Sequence, residues 1–270
     1  MASSPKTNNP FEHYFYKRAQ LADHLANSGC LIDAYTLATA SLDAIAEIWM
    51  HDFPQDNQNL KSELGVEKVP SSIRLARLFK KFIPSDSLAS RVAVICFAED
   101  WKLHHPEDAA IADSLLIKRM GDDPDPRIRD YEMPKAYLDV SRDELSRECP
   151  ELAARSDLFD LSEHYEYGAL LYTFYRCPLV HIGLTSNRTH GFTRGEEVWY
   201  CGSSDDNDNR LAIGFGPNLV TRWLRSVASG YVQVCIDKCV SPAQNLDAGA
   251  DHETRFKRRW SKITKVSNAS

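Results

Sequence analysis

The sequence predicts a mainly α-helical protein with one small β-hairpin just before its last helix. Apolar residues recur at helical spacing through the first fifty residues, and again from Ser71, from Ser85 and from Leu158. EEVWYCG and RLAIGFG, on either side of an acidic, turn-like SSDDNDN, read instead as two short strands. No internal repeat and no linker-like run divides the chain, so residues 10–241 read as a single domain.

Residues 1–9, rich in Ser, Pro and Asn, are expected to form a disordered leader. Phe15, Ala19, Ala22 and Leu25 mark one face of a first helix, and Gly29 punctuates its end. In LIDAYTLATASLDAIAEIW, Ile32, Leu37, Ala38, Leu42, Ile45 and Ile48 form a broad apolar stripe, with enough alanine for a neighbour to approach closely. These two helices, joined by a short turn, predict an antiparallel hairpin. The polar stretch 51–70 is expected to be a loop. IRLARLFKKFIP begins behind Ser71 or Ser72 and stops at Pro84. Its Ile73, Leu75, Leu78, Phe79 and Phe82 face inward, and Arg74, Arg77, Lys80 and Lys81 make a basic outer side. SDSLASRVAVICFAEDWKLHH and EDAAIADSLLIKRM predict further helices. The run from Met120, broken by Asp, Gly and Pro, predicts a long loop within 120–150. The hairpin falls at about 196–216, a last helix follows Pro217, and a polar, basic tail covers 242–270.

Composition narrows the classes of function. A net charge of −6 argues against broad coating of nucleic acid, yet leaves room for a local basic groove. No window approaches the roughly 18 apolar residues of a membrane span, and the N-terminus lacks the apolar core of a signal peptide. The expectation is a cytoplasmic protein without a membrane partner. The seven cysteines are odd in number, scattered and free of any CxxC pair, which disfavours a zinc ribbon or a disulfide framework. His104-His105-Pro106-Glu107-Asp108 contains metal-capable groups, but neighbouring histidines on a helix diverge, so a solvated helix end is the favoured reading. Cys235 and Cys239, one helical turn apart, read as core cysteines. No metal and no other cofactor is expected.

The stretch FYRCPLVHIG places Arg176 and His181 on either side of Pro178. Spacing alone is weak evidence: 19 arginines and 9 histidines among 270 residues supply roughly 0.6 such pairs by chance. Context adds to it. The pair closes a long apolar helical segment, and Pro178 can neither donate an N–H nor favour helical geometry at Cys177, which predicts a kink. A kink would bring onto one wall two side chains that a regular helix holds about 140° apart. A histidine that titrates near neutral pH can exchange protons, and a guanidinium matches phosphate oxygens.

Here the chain resembles the HEPN superfamily of helical-bundle proteins, whose hallmark is Arg, four to six residues, then His on a late helix. RCPLVH at 176–181 fits with four intervening residues. LIDAYTLATASLDAIAEIW looks like the Ala-rich second helix of such proteins, and IRLARLFKKFIP like the Arg/Phe helix that precedes the motif in one bacterial branch. The three elements come in the same order and cover about half of the chain, leaving out the 120–150 loop and the tail. The resemblance implies a HEPN-like bundle and a toxin or defence-type endoribonuclease. Two copies would form one metal-independent cleft, with His181 in acid–base catalysis at the RNA 2′-hydroxyl or leaving oxygen and Arg176 stabilising the phosphorane. It further implies RNA, a second copy of the chain and an antitoxin or other regulatory protein as partners. Cys177 stands where active members often carry a polar residue, and Pro178 is unusual inside the motif. Asp43 and Glu47, read by default as solvent-face carboxylates like Asp33, could orient Arg176 or His181. His190 could line the same cleft. Arg74, Arg77, Lys80 and Lys81, and the tail's Arg255, Lys257, Arg258 and Arg259, could hold RNA phosphates, although a charge run is more often a solvated face. The alternative is a non-catalytic HEPN-like module that binds a partner protein or a small ligand, with Arg176 tied to an internal carboxylate and His181 buried.

Overall fold

A computed structural model of the chain describes residues 9–86, 88–121, 133–134, 136–189, 195, 197–202 and 210–242. The expected leader (apart from Asn9), part of the 120–150 loop, His190 and the basic tail lie outside the described residues. The fold is mainly helical, as the periodicity predicts. Helices α1 (Pro10–Asn27) and α2 (Leu31–Asp52) form the expected hairpin around Gly29, which sits at φ 82°. Asn9 caps α1 by accepting the Phe11 N–H at 2.9 Å. The stretch 51–70 is not a loop throughout: Pro54–Leu64 is a helix, α3, opened by Pro54 and closed by Gly65 in left-handed geometry. Both are ordinary helix punctuation that the polar composition masked.

Helix α4 (Ser71–Phe82) sits at the centre. Ile73, Leu75, Leu78, Phe79 and Phe82 are buried as their spacing predicts. A two-residue strand, β1 (Arg91–Val92), precedes α5 (Val94–His104), so this helix starts later than its Ser/Asp signal suggests. Then come α6 (Ala109–Met120), β2 (Met133–Pro134) and β3 (Val140–Ser141), which pairs antiparallel with β1. Within the expected 120–150 loop, α7 (Arg142–Glu148) is helical behind a capping box of Ser141 and Glu144. Short helices α8 (Pro150–Ala153), α9 (Ser156–Leu161) and α10 (Tyr167–Leu170) follow. A π-helical segment (Leu171–Arg176) leads into α11 (Cys177–Ile182). The hairpin is β4 (Val198–Gly202) and β5 (Leu211–Phe215), and β2 adds to it as a third antiparallel strand. The last helix, α12 (Pro217–Asp237), packs along α1, α2 and α4. Cys235 is buried as expected, whereas Cys239 is exposed, because the helix has already ended.

Two close approaches fix α4. A Cβ on Gly168 of α10 would lie 2.7 Å from the Ala76 Cα, and one on Gly230 of α12 would overlap the Phe82 carbonyl. Backbone meets backbone at both points, so neither contact can yield by turning a side chain. Asp139 ties the sheet to the helices. Only 1% exposed, it accepts the Val94 N–H at 3.0 Å, capping α5 from 45 residues away, and the hydroxyls of Tyr200 at 2.8 Å and Tyr167 at 2.5 Å. Burial pushes its pKa up to about 7, against the opposing pull of those tyrosines and of Val94.

Gly168→Val and Gly230→Val are each expected to destabilise the fold by about 2 kcal/mol or more, since overpacking here must move backbone; thermal unfolding reads this as a lower midpoint. Because Asp139 has its pKa raised on folding, its contribution to stability is full below about pH 4 and is lost as pH rises through about 7. Denaturant unfolding of the parent and of Asp139→Asn from pH 4 to 8 should show the parent losing stability relative to the variant, by on the order of a few kcal/mol. A constant difference across that range would contradict the assignment.

Candidate functional site

Asp43 and Glu47 lie one turn apart on α2, so they share a face. That face meets α4 and the π segment. Arg74 Nη2 lies 3.1 Å from Asp43 Oδ1, Arg74 Nη1 pairs with Glu47, and Arg176 Nε lies 2.8 Å from Asp43 Oδ2. Asp43 is therefore a buried bridge between two arginines rather than the solvent-face carboxylate its position suggested. Glu47 has the expected exposure, with half of its side chain in solvent. Asp33 is exposed. The Arg176 guanidinium also lies 5.6 Å from the Tyr172 ring centre. Its Nε–H is not aimed at Asp43, and the Arg176 side chain makes no hydrogen bond among the described residues. The pair is a contact of charge.

Pro178 shapes this segment differently from the expected kink. Arg176 and Cys177 both keep right-handed helical geometry. The chain instead widens to a π turn just ahead of the proline, with the Cys177 N–H reaching the Tyr172 carbonyl five residues back. A wider turn relieves the clash between a proline ring and the carbonyl four residues earlier. That carbonyl, on Phe174, is left without its helical donor and accepts the Ser186 N–H at 3.0 Å, which draws the chain after α11 back over the segment. Tyr175 anchors the other side, where its hydroxyl accepts the Phe215 N–H at 3.1 Å. Cys177 is half-buried as a free thiol.

His181 lies in the last turn of α11, before Gly183 at φ 70°. It is exposed and makes no hydrogen bond or ion pair among the described residues. Val180 and Leu184, at 45% and 61% exposure, flank it. The structure therefore places Arg176 and His181 on one continuous helical segment, Arg176 held by Asp43 and His181 free in solvent, and the regular helix after Arg176 keeps the two about 140° apart around its axis rather than bringing them onto one wall through a kink. His190, the other expected neighbour, lies outside the described residues.

The basic side of α4 is not a free phosphate-gripping row. Arg74 is buried against Asp43 and Glu47. Arg77 pairs with Glu163 and with Glu63, the latter at 2.6 Å. Lys80 reaches Glu166 at 2.6 Å, and Lys81 reaches Asp56 at 2.5 Å. Burial works against the charge on Arg77, but Glu163 and Glu63 outweigh it and hold its pKa above the ordinary value. Burial raises the pKa of Glu166 despite Lys80. One signal for these partners does exist in the sequence. Arg77 and Lys80 are three residues apart, Glu163 and Glu166 likewise, and each cation meets the acid 86 positions later. Local periodicity cannot announce such a match.

His105, Glu107 and Asp108 bring their ligand atoms within 4.8 Å of one another. Asp108 is already taken by Arg155 and by the Trp101 N–H at 3.1 Å, in keeping with an ordinary helix end. Comparison of the chain with known protein families, with curated proteins and with solved structures finds no match.

Breaking a buried ion pair by removing one partner costs about 3 kcal/mol or more, whereas an exposed one contributes under about 1 kcal/mol. Asp43→Ala should therefore lower unfolding stability several times more than Glu47→Ala, as measured by denaturant titration. Equal effects would contradict the bridging role of Asp43.

Proposed function

We propose that the surface around Arg176 and His181 is a metal-independent RNA-cleaving site of the HEPN type. The observation that carries this reading is the state of Arg176: Asp43 fixes its position through charge, yet no N–H of its guanidinium is consumed by a hydrogen bond among the described residues. Such a group is oriented in advance and still able to grip a phosphate. His181, solvent-exposed and unpartnered among the described residues, is placed to take a proton from a 2′-hydroxyl or to return one to the leaving oxygen. The exposed apolar side chains of Val180 and Leu184 beside it support a second copy of the chain completing the cleft. On this reading the protein acts as a toxin or defence-type endoribonuclease, with an antitoxin or other regulatory protein as a further partner.

One observation favours a second reading. Arg74, Arg77, Lys80 and Lys81 are all neutralised by internal acids, and Arg176 itself meets one, which suits a non-catalytic module that binds a partner protein or a small ligand.

An RNA cleavage assay in the presence of EDTA separates the two. The catalytic reading expects cleavage that leaves a 2′,3′-cyclic phosphate and falls at least about a hundredfold in His181→Ala and in Arg176→Ala, with the far-ultraviolet dichroism of His181→Ala unchanged. Cleavage by both variants at the parent's rate, or none by the parent, would sink it in favour of the binding module.

A further inference from the structure

Arg74 is the more confined of the two arginines that meet Asp43. It lies in the first turn of α4 and is 8% exposed. Three groups hold it: Nη2 donates to Asp43 Oδ1 at 3.1 Å and to the Ser71 hydroxyl at 3.3 Å, and Nη1 pairs with Glu47. A guanidinium this deep, already committed to two acids, is not free to grip a phosphate. What it governs is Asp43.

Asp43 has two oxygens and faces two arginines. Arg74 takes Oδ1 by a hydrogen bond, whereas Arg176 Nε lies 2.8 Å from Oδ2 without its N–H aimed there. One guanidinium and one carboxylate left to themselves favour a forked pair of parallel N–H···O bonds that uses both oxygens. That fork needs Oδ1, and Arg74 occupies it. Glu47 and Ser71 keep Arg74 in place independently of Arg176. The Tyr172 ring, 5.6 Å from the Arg176 guanidinium, steadies that group without consuming an N–H. We propose that Arg74, on the reading of Arg176 as the phosphate-gripping group, is a positioning residue: by occupying Asp43 Oδ1 it stops Asp43 from closing a fork on Arg176, and so keeps the Arg176 N–H groups open to a phosphate. Asp43 then orients Arg176 by charge alone, and the substrate does not have to compete with it for the same donors.

Phenylglyoxal, an arginine reagent, tests this on the full chain when each modified site is located by mass spectrometry. Arg176, with 21% of its side chain exposed, is within the reagent's reach. In Arg74→Met the apolar stem is kept and Asp43 stays matched by Arg176, so no buried charge is orphaned. Arg176 should then be modified about tenfold more slowly than in the parent, as its N–H groups pass into the fork. Adding Asp43→Asn should return the rate to the parent's or above, because a neutral amide offers a single acceptor oxygen. A merely structural role for Arg74 gives the opposite sign: its loss would loosen the site and speed modification of Arg176. Unchanged or faster modification in Arg74→Met, with far-ultraviolet dichroism like the parent's, overturns the proposal, as does protection that survives Asp43→Asn. Should Arg74→Met not fold, Arg74→Lys decides. A single ammonium cannot hold Asp43 and Glu47 together as a guanidinium does, so Arg176 should be protected about twofold, and a rate equal to the parent's or higher overturns the proposal. RNA cleavage separates this role from the catalytic reading. It should fall in Arg74→Met and recover in part on adding Asp43→Asn. A parent that cleaves no RNA removes the catalytic reading, while the order of Arg176 reactivities still decides whether Arg74 holds Asp43 off Arg176.

Discussion

Helix α4 is held between two backbones. Gly168 brings α10 onto Ala76 from one side, and Gly230 brings α12 onto the Phe82 carbonyl from the other. Neither approach leaves room for a Cβ, so α4 meets both neighbours backbone to backbone, and everything that leans on α4 depends on those two contacts. The π segment begins three residues after Gly168, which makes the α10 contact the reference point for Arg176.

With α4 fixed, its cations have defined partners. Glu163 lies on the 3₁₀ turn Ser162–Tyr165 between α9 and α10 and Glu166 directly follows that turn, in step with Arg77 and Lys80, while Asp43 of α2 sits between Arg74 and Arg176. These pairs are partly or wholly withdrawn from water, where attraction between charges is stronger and an unpaired charge is far costlier than on the surface. They lock register between elements distant in sequence. Arg176 gains a defined orientation from the same arrangement, and the wide turn before Pro178 keeps the segment helical through to His181. Asp139 plays the corresponding part for the small sheet, joining α5, α10 and β4 through three hydrogen bonds to one carboxylate.

Helix type and the inward faces were legible because each depends on residues a turn apart. The hairpin of α1 and α2, the apolar side of α4 and the final helix after Pro217 all follow from such spacing, while β4 and β5 were legible as short apolar runs on either side of a turn-like acidic stretch. Helix α3 and helix α7 were missed although their signals were present: Pro54 and Gly65 for one, the Ser141/Glu144 capping box for the other. Polar composition and a run of prolines concealed them. The RCPLVH motif pointed to the segment of the proposed site, and Asp43, named beforehand as a carboxylate that could orient Arg176, meets it.

By itself, then, the sequence determined where the helices and the hairpin lie, which faces are apolar, and that Arg176 and His181 close a late helical segment. Only the tertiary structure decided that α4's cations are neutralised, that Asp43 is buried between two arginines, and that Pro178 produces a π turn rather than a break. The physical reason is common to all three. A charge takes its character from the group that faces it, and a freed carbonyl from the donor that reaches it; the donor for Phe174 lies 12 residues on, and the partners of the charges lie 14 to 133 residues away. No pattern confined to one segment records those meetings.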